Sequence, residues 1–219
     1  MAGMTVTEPL PTEILAPGDA AAAAAAVRTV APMDDAALTR GLDSFVARRL
    51  VPGERLQSAS SSAACLAIVL AGAVREAYED PRGGVCTRSL RGRGAVLTDA
   101  FDPPQAPLAI RAIGGVRILI AAWTDIVELG ADEGIWTDFA RSLALRQHAD
   151  AIERERRLAL LSPLERYLRL RVETPWMLQE VPQYEIAALL RITPEHLSRI
   201  RRRLLDRVST RSPAARTAG

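Results

Sequence analysis

Near the C-terminal end of the chain, Glu195, Ser198, Arg199 and Arg202 recur at spacings of three and four. On an α-helix such residues share one face. The chemistry of that face is recognition rather than bond-making. A guanidinium can bond O6 and N7 of guanine in a bidentate way, a carboxylate can accept from N4 of cytosine, and a hydroxyl can bond several groups. Leu197, Ile200 and Leu204 recur at the same spacings and form a second, apolar stripe. Thr193 is suited to cap this helix, and Pro194 then occupies the first helical position, where its missing N–H costs nothing. Arg201, Arg202 and Arg203, with Thr193 at the helix start, are the candidates for contacts to phosphate. The same residues admit a plainer reading, in which two amphipathic helices present a solvated charged face.

Residue types for other chemistry are scarce. No Gly-x-Ser-x-Gly elbow and no P-loop occurs. Glu153 and Glu155 lie two apart, where helical side chains do not meet. The histidines, His148 and His196, lack metal-ligand spacing to any partner, and the strand-rich region has none. Cys65 and Cys86 are too few for a four-cysteine zinc or iron–sulfur site within one chain, and they read as buried free thiols. The expectations are therefore no catalytic residues, no metal and no iron–sulfur cluster.

The reading face needs a support. Upstream, Ile186, Ala187 and Leu190 would line the inner side of a first helix, with small Ala187 where two helices cross closely and Ile192 filling the turn. Residues 181–205 thus carry the helix-turn-helix pattern. Arg191 stands at the turn position where glycine would be easiest.

These residues, VPQYEIAALLRITPEHLSRIRRRL, resemble the DNA-binding end of the CRP/FNR superfamily of bacterial transcription regulators. Residues 161–170, LSPLERYLRL, resemble the first helix of that domain. Glu195-x-x-Ser198-Arg199 matches the Glu-x-x-Ser-Arg pattern of the FNR branch. The resemblance implies that Glu195, Ser198 and Arg199 read bases, on half-sites resembling TTGA. Pro194 stands where the catabolite-activator branch usually has an arginine, so that contact is not carried over. The resemblance further implies a jelly-roll sensor domain ahead of the DNA-binding domain, a homodimer on near-palindromic double-stranded DNA, and RNA polymerase as a partner.

Charge distribution agrees with one nucleic-acid-facing module. The chain of 219 residues has a formal net charge of +2, yet from Arg191 onward eight arginines face only Glu195 and Asp206. No signal peptide is evident, and the longest apolar run, 63–74, is too short to span a bilayer, so a cytoplasmic protein with no membrane partner is expected.

Along the chain, residues 1–33 are rich in Ala, Pro and Thr and read as a low-complexity, mobile arm, with the alanine tract as a short helix or part of that arm. Residues 34–130 read as a jelly-roll sensor-like domain, with candidate strands at 45–50, 66–70, 73–78, 85–90, 108–113 and 116–123 between Gly- and Pro-rich breaks. Residues 131–161 read as a dimerisation helix whose seam is Ile135, Phe139, Leu145, Ala149 and Ile152. Residues 162–208 read as the helix-turn-helix domain and 209–219 as a disordered tail, so phosphate contacts from a β-hairpin wing are not expected. The fold class is α+β.

An effector is not identified by these residues. Relatives that bind cyclic nucleotides use a Gly-Glu pair and a later Arg-Ser or Arg-Thr pair. Here Ala95 follows Gly94, and no Arg followed by Ser or Thr occurs between Pro103 and Arg111. Cyclic AMP is therefore disfavoured, while Arg91, Arg93 and Arg111 remain as cations for another anion or as solvated side chains. The competing functional classes are a ligand-binding or protein-interaction module of the same fold that no longer reads DNA, and a metal-dependent jelly-roll enzyme.

Overall fold

The structure, a computed structural model, describes residues 16–56, 64–80, 82–102, 108–132 and 134–210. The chain divides after Glu153 into two compact units.

The first unit begins with α1 (Pro17–Val30), started by Pro17 and by Asp19, whose carboxylate accepts from Ala16 N–H at 2.9 Å. Alanine is the strongest helix former and its small side chain lets a backbone approach closely. Ala23, Ala26 and Val27 are buried in an apolar cluster against a sheet. The mobile arm expected for residues 1–33 is therefore corrected over 17–33, which are packed; residues 1–15 lie outside the described residues. Asp34 caps α2 (Asp35–Leu42) by accepting from Ala37 N–H at 2.8 Å.

Seven strands follow among the described residues: β1 (Val46–Leu50), β2 (Cys65–Ala71), β3 (Val74–Glu79), β4 (Val85–Arg91), β5 (Val96–Thr98), β6 (Leu108–Ala112) and β7 (Val116–Ala122). They form two antiparallel sheets, β1-β7-β2-β5 and β4-β3-β6. All six expected strands are present, and the three-residue β5 was not anticipated. Successive strand residues point to opposite faces. In β2, Cys65, Ala67 and Val69 enter the core between the sheets, while Leu66, Ile68 and Leu70 enter the cluster shared with α1 and α2. Burial on both faces explains why this strand is a continuous apolar run rather than an alternating one. On β7, Arg117 lies on the helix-covered face beside Leu119 and forms a bidentate ion pair with Asp19 of α1, with Nη2–Oδ2 at 2.6 Å. Burial alone would raise the Asp19 carboxyl. The bonds from Arg117 and Ala16 and the Arg117 charge outweigh it and hold the group below its ordinary value.

After β7 come α3 (Trp123–Asp132) and α4 (Gly134–Leu160). Sequence reasoning placed Trp123 at the end of a strand and the next helix at residue 131. Instead Trp123 opens α3. Trp136, Phe139 and Leu143 on α4 are buried in the helix-side cluster, where the indole of Trp136 lies against Gly41 and donates to Ala37 O at 3.3 Å. A Cβ at residue 41 would meet that indole at 1.8 Å, so only glycine permits the approach.

This corrects the expected dimer seam. Phe139 is fully buried and Ile135 is half-buried against the same cluster, so both belong to the inner face of α4. Leu145 (64% exposed), Ala149 and Ile152 (53% exposed) lie on the opposite side. At about 100° per residue, positions 136, 139 and 143 sit half a turn of the helix away from 145, 149 and 152. The seven-residue pattern in the sequence had joined two different stripes.

The second unit contains the end of α4 and then α5 (Pro163–Glu173), α6 (Met177–Glu180), α7 (Gln183–Leu189) and α8 (Pro194–Thr210). Ser162 and Glu165 form a capping box that starts α5: Ser162 Oγ accepts from Glu165 N–H at 3.3 Å, and Glu165 Oε2 accepts from Ser162 N–H at 2.8 Å. The tail expected at 209–219 overlaps the last residues of α8, and residues 211–219 lie outside the described residues. Among the described residues of this unit no strand follows α8. No helix among the described residues is long and apolar enough to cross a membrane.

Candidate nucleic-acid interface

The support comes from α7. Ile186, Ala187 and Leu190 are buried, as the apolar spacing requires. The helix ends in a Schellman arrangement: Ile192 N–H donates to Ala187 O at 3.0 Å and Arg191 N–H to Ala188 O at 3.1 Å. This geometry needs a left-handed residue after the cap. Arg191 supplies it with φ 56°, in place of the usual glycine. The strain is about 1–2 kcal/mol, and the packed turn absorbs it.

The next helix starts as its residues dictate. Thr193 Oγ1 accepts from His196 N–H at 3.2 Å, and Pro194 follows as the first helical residue. Leu197 and Ile200 are buried, and Leu204 is half-buried. Glu195, Ser198, Arg199, Arg202 and Arg203 are exposed. Glu195, Ser198, Arg199 and Arg202 form one outward row on the side away from the buried stripe. Arg201 is half-buried and lies off that row. His148 is exposed on α4, and half-buried His196 flanks the α8 row.

The Glu195 carboxyl is held below the ordinary glutamate value. Its own backbone N–H contributes most, then the Thr193 hydroxyl, with Arg199 adding a smaller charge effect. It is therefore ionised at neutral pH, where both oxygens accept and neither donates. The row offers one acceptor, one hydroxyl and planar donor forks.

One residue that sequence reasoning did not single out belongs to this unit's geometry. Arg166 on α5 donates to Leu161 O at 2.6 Å through Nη1 and to Leu190 O at 2.9 Å through Nη2. No sequence rule separates it from the neighbouring Arg169 and Arg171.

In the first unit, the arginines considered for an anion are partly engaged. Arg91 binds Glu76 at 3.1 Å and Asp150 at 3.0 Å, and Arg111 holds Glu79 with bonds of 2.6 and 3.1 Å. Arg93 is exposed. Arg91, Arg146, Gln147 and Asp150 line a small cleft of roughly 120 Å³. Burial pushes the Cys65 thiol up to about 12, aided by Asp99, so it carries no thiolate at neutral pH. Among the described residues no group of three or more His, Cys, Asp or Glu side chains converges in a way that could hold a metal.

The fold has many counterparts among solved structures. A protein described as a transcriptional regulator of the CRP/FNR family from Eubacterium rectale superposes with a TM-score of 0.61 at 14% identity, over 80% of this chain and 85% of that one. The cyclic-di-GMP-responsive global regulator CLP of Xanthomonas campestris gives 0.56 at 18% identity, over 79% and 92%. FixK2 of Bradyrhizobium japonicum gives 0.56 at 17% identity, over 80% and 89%. The chain therefore has the fold of these regulators: an N-terminal antiparallel β-sandwich, a long helix and a C-terminal helical domain. No protein-family model matches the sequence. No curated protein matches it either.

Proposed function

We propose that this chain is a sequence-specific, DNA-binding transcription regulator, not an enzyme, acting as a dimer on near-palindromic sites. The observation that carries the reading is the outward row Glu195, Ser198 and Arg199, set on a capped helix whose other side is buried. In this reading the three residues contact base edges, while Thr193, Arg202 and Arg203 bind phosphate, with Arg201 at the margin. The descriptions of the similar structures as regulators support the same role. The exposed stripe Leu145, Ala149 and Ile152 is the dimer surface, so two reading helices would meet successive major grooves. RNA polymerase is the expected protein partner. The effector is one other than cyclic AMP, because Ala95 follows Gly94 and both Arg91 and Arg111 hold carboxylates.

The deciding experiment is selection of preferred sites from random double-stranded DNA, followed by binding to the selected and to random duplexes across a salt series. A regulator enriches a two-fold-symmetric site and shows a steep negative dependence of log affinity on log salt. No enrichment and no salt dependence would overturn the proposal in favour of an interaction module that does not read DNA.

A further inference from the structure

We infer that Arg166 is the positioning residue of the reading helix: its guanidinium pins the turn before α8 to the start of α5 and so sets the pitch of Glu195, Ser198 and Arg199. The inference rests on the DNA-reading role proposed above.

The two carbonyls that Arg166 binds are special ones. Leu161 directly follows the last residue of α4, and Leu190 is the C-cap of α7. Carbonyls at a helix C-terminus lack intrahelical partners, and the helix dipole favours a cation there. One half-buried guanidinium therefore satisfies orphan acceptors at the ends of two helices at once. Leu190 is also the residue before Arg191, the left-handed hinge of the motif. Fixing the Leu190 carbonyl fixes the plane of the peptide that leads into that hinge.

Apolar contacts alone would not do this. Ile186, Ala187, Leu197 and Ile200 hold α7 and α8 to the unit, but hydrophobic burial is non-directional. A small rotation of the pair would keep most of those contacts while displacing the row. Bidentate base contacts tolerate little displacement, because hydrogen bonds weaken steeply with angle. The planar fork also explains the residue type. Lys is a point charge on a flexible stem and cannot hold two carbonyls in fixed directions. Arg166 Nε is buried without a hydrogen-bond partner, so the side chain is anchored by its two terminal nitrogens.

The test uses full-length Arg166→Met and Arg166→Lys beside the wild type. Binding is measured to a duplex selected by the wild type and to a random duplex, and amide hydrogen exchange is followed by NMR. Arg166→Met is expected to lose about ten-fold on the selected duplex and stay within about two-fold on the random one, with Arg166→Lys intermediate. The Arg191 and Ile192 amides, which donate to Ala188 and Ala187, should exchange about ten-fold faster, while α5 amides keep their rates. Equal losses on both duplexes, or unchanged exchange at Arg191 and Ile192, would overturn the inference. If Arg166→Met fails to fold, the same comparison is made on Arg166→Lys. If the wild type itself prefers no duplex, the proposed function fails instead, and the pinning of the turn stands or falls on the exchange rates.

Discussion

The first unit and helix α8 use arginine in opposite ways. In the first, guanidinium groups close the structure on itself: Arg48 on Glu54, Arg88 on Asp102, Arg91 on Glu76, Arg111 on Glu79 and Arg117 on Asp19. On α8, Arg199, Arg202 and Arg203 stand exposed, although elsewhere in the same unit Arg157 and Arg169 pair with Glu173. Paired charges in the first unit cancel locally, and removing Arg117 or Arg91 leaves the buried Asp19 or Glu76 without that cation. Like charges lined up on α8 repel one another, and a polyanion would relieve that repulsion. The position of a carboxylate, more than the count of arginines, separates a guanidinium held inside the fold from one left facing outward. Arg166 falls between these classes, since it is half-buried like Arg91, Arg111 and Arg117 yet binds carbonyls instead of carboxylates.

Four variants test this contrast. The largest effect is expected from Leu145→Glu with Ile152→Glu on the exposed stripe of α4. Burying like charges across a two-fold contact should cost more than about 3 kcal/mol of association, seen as monomers in sedimentation, with the melting temperature little changed. A dimer that persists would place the contact elsewhere. Next, Arg199→Ala should cost about 1–3 kcal/mol on a selected duplex and relax preference at one base pair. If it weakened random DNA just as much, Arg199 would belong with the phosphate contacts.

Arg117→Met should lower unfolding stability by about 2 kcal/mol through loss of a charged hydrogen-bond pair, with DNA affinity unchanged; calorimetry and a binding titration check both halves. The same pair has a pH signature. The Asp19 carboxyl is held below its ordinary value of 3.8. Its contribution is therefore complete above that value and is lost as pH falls through the lower, folded-state one. Acid melting curves of the wild type and Arg117→Met should converge below about pH 3.8, and curves that stay parallel would refute the linkage. The smallest effect is expected from Arg202→Ala, which should weaken selected and random duplexes alike and lower the salt slope by about 0.9. A change in preferred sequence would move Arg202 among the base readers.

Much of the candidate interface was legible because several local signals agree there. Thr193, Pro194, the Leu197–Ile200–Leu204 stripe and the Glu195–Ser198–Arg199 row all specify the same helix orientation. The sandwich was legible strand by strand, since Gly and Pro punctuate runs of apolar residues. Three things were not. The packing of α1 on the sheet escaped because alanine marks no face by size, and its anchor Arg117 lies 98 residues from Asp19. The two sides of α4 were merged because Phe139, Ser142 and Leu145 stand three apart, a spacing that carries a stripe gradually around the helix. Arg166 was invisible because carbonyls carry no residue identity, so a side chain that binds them leaves no partner in the sequence.

The double burial of β2 has a thermodynamic consequence. Cys65, Ala67 and Val69 belong to one apolar cluster, and Leu66, Ile68 and Leu70 to another, yet a single backbone carries both sets. Peeling the alanine helix away would strip solvent protection from a strand that the opposite sheet also requires. Melting of that layer should thus propagate straight through the sandwich, giving one sharp transition for this half of the protein instead of two staggered ones.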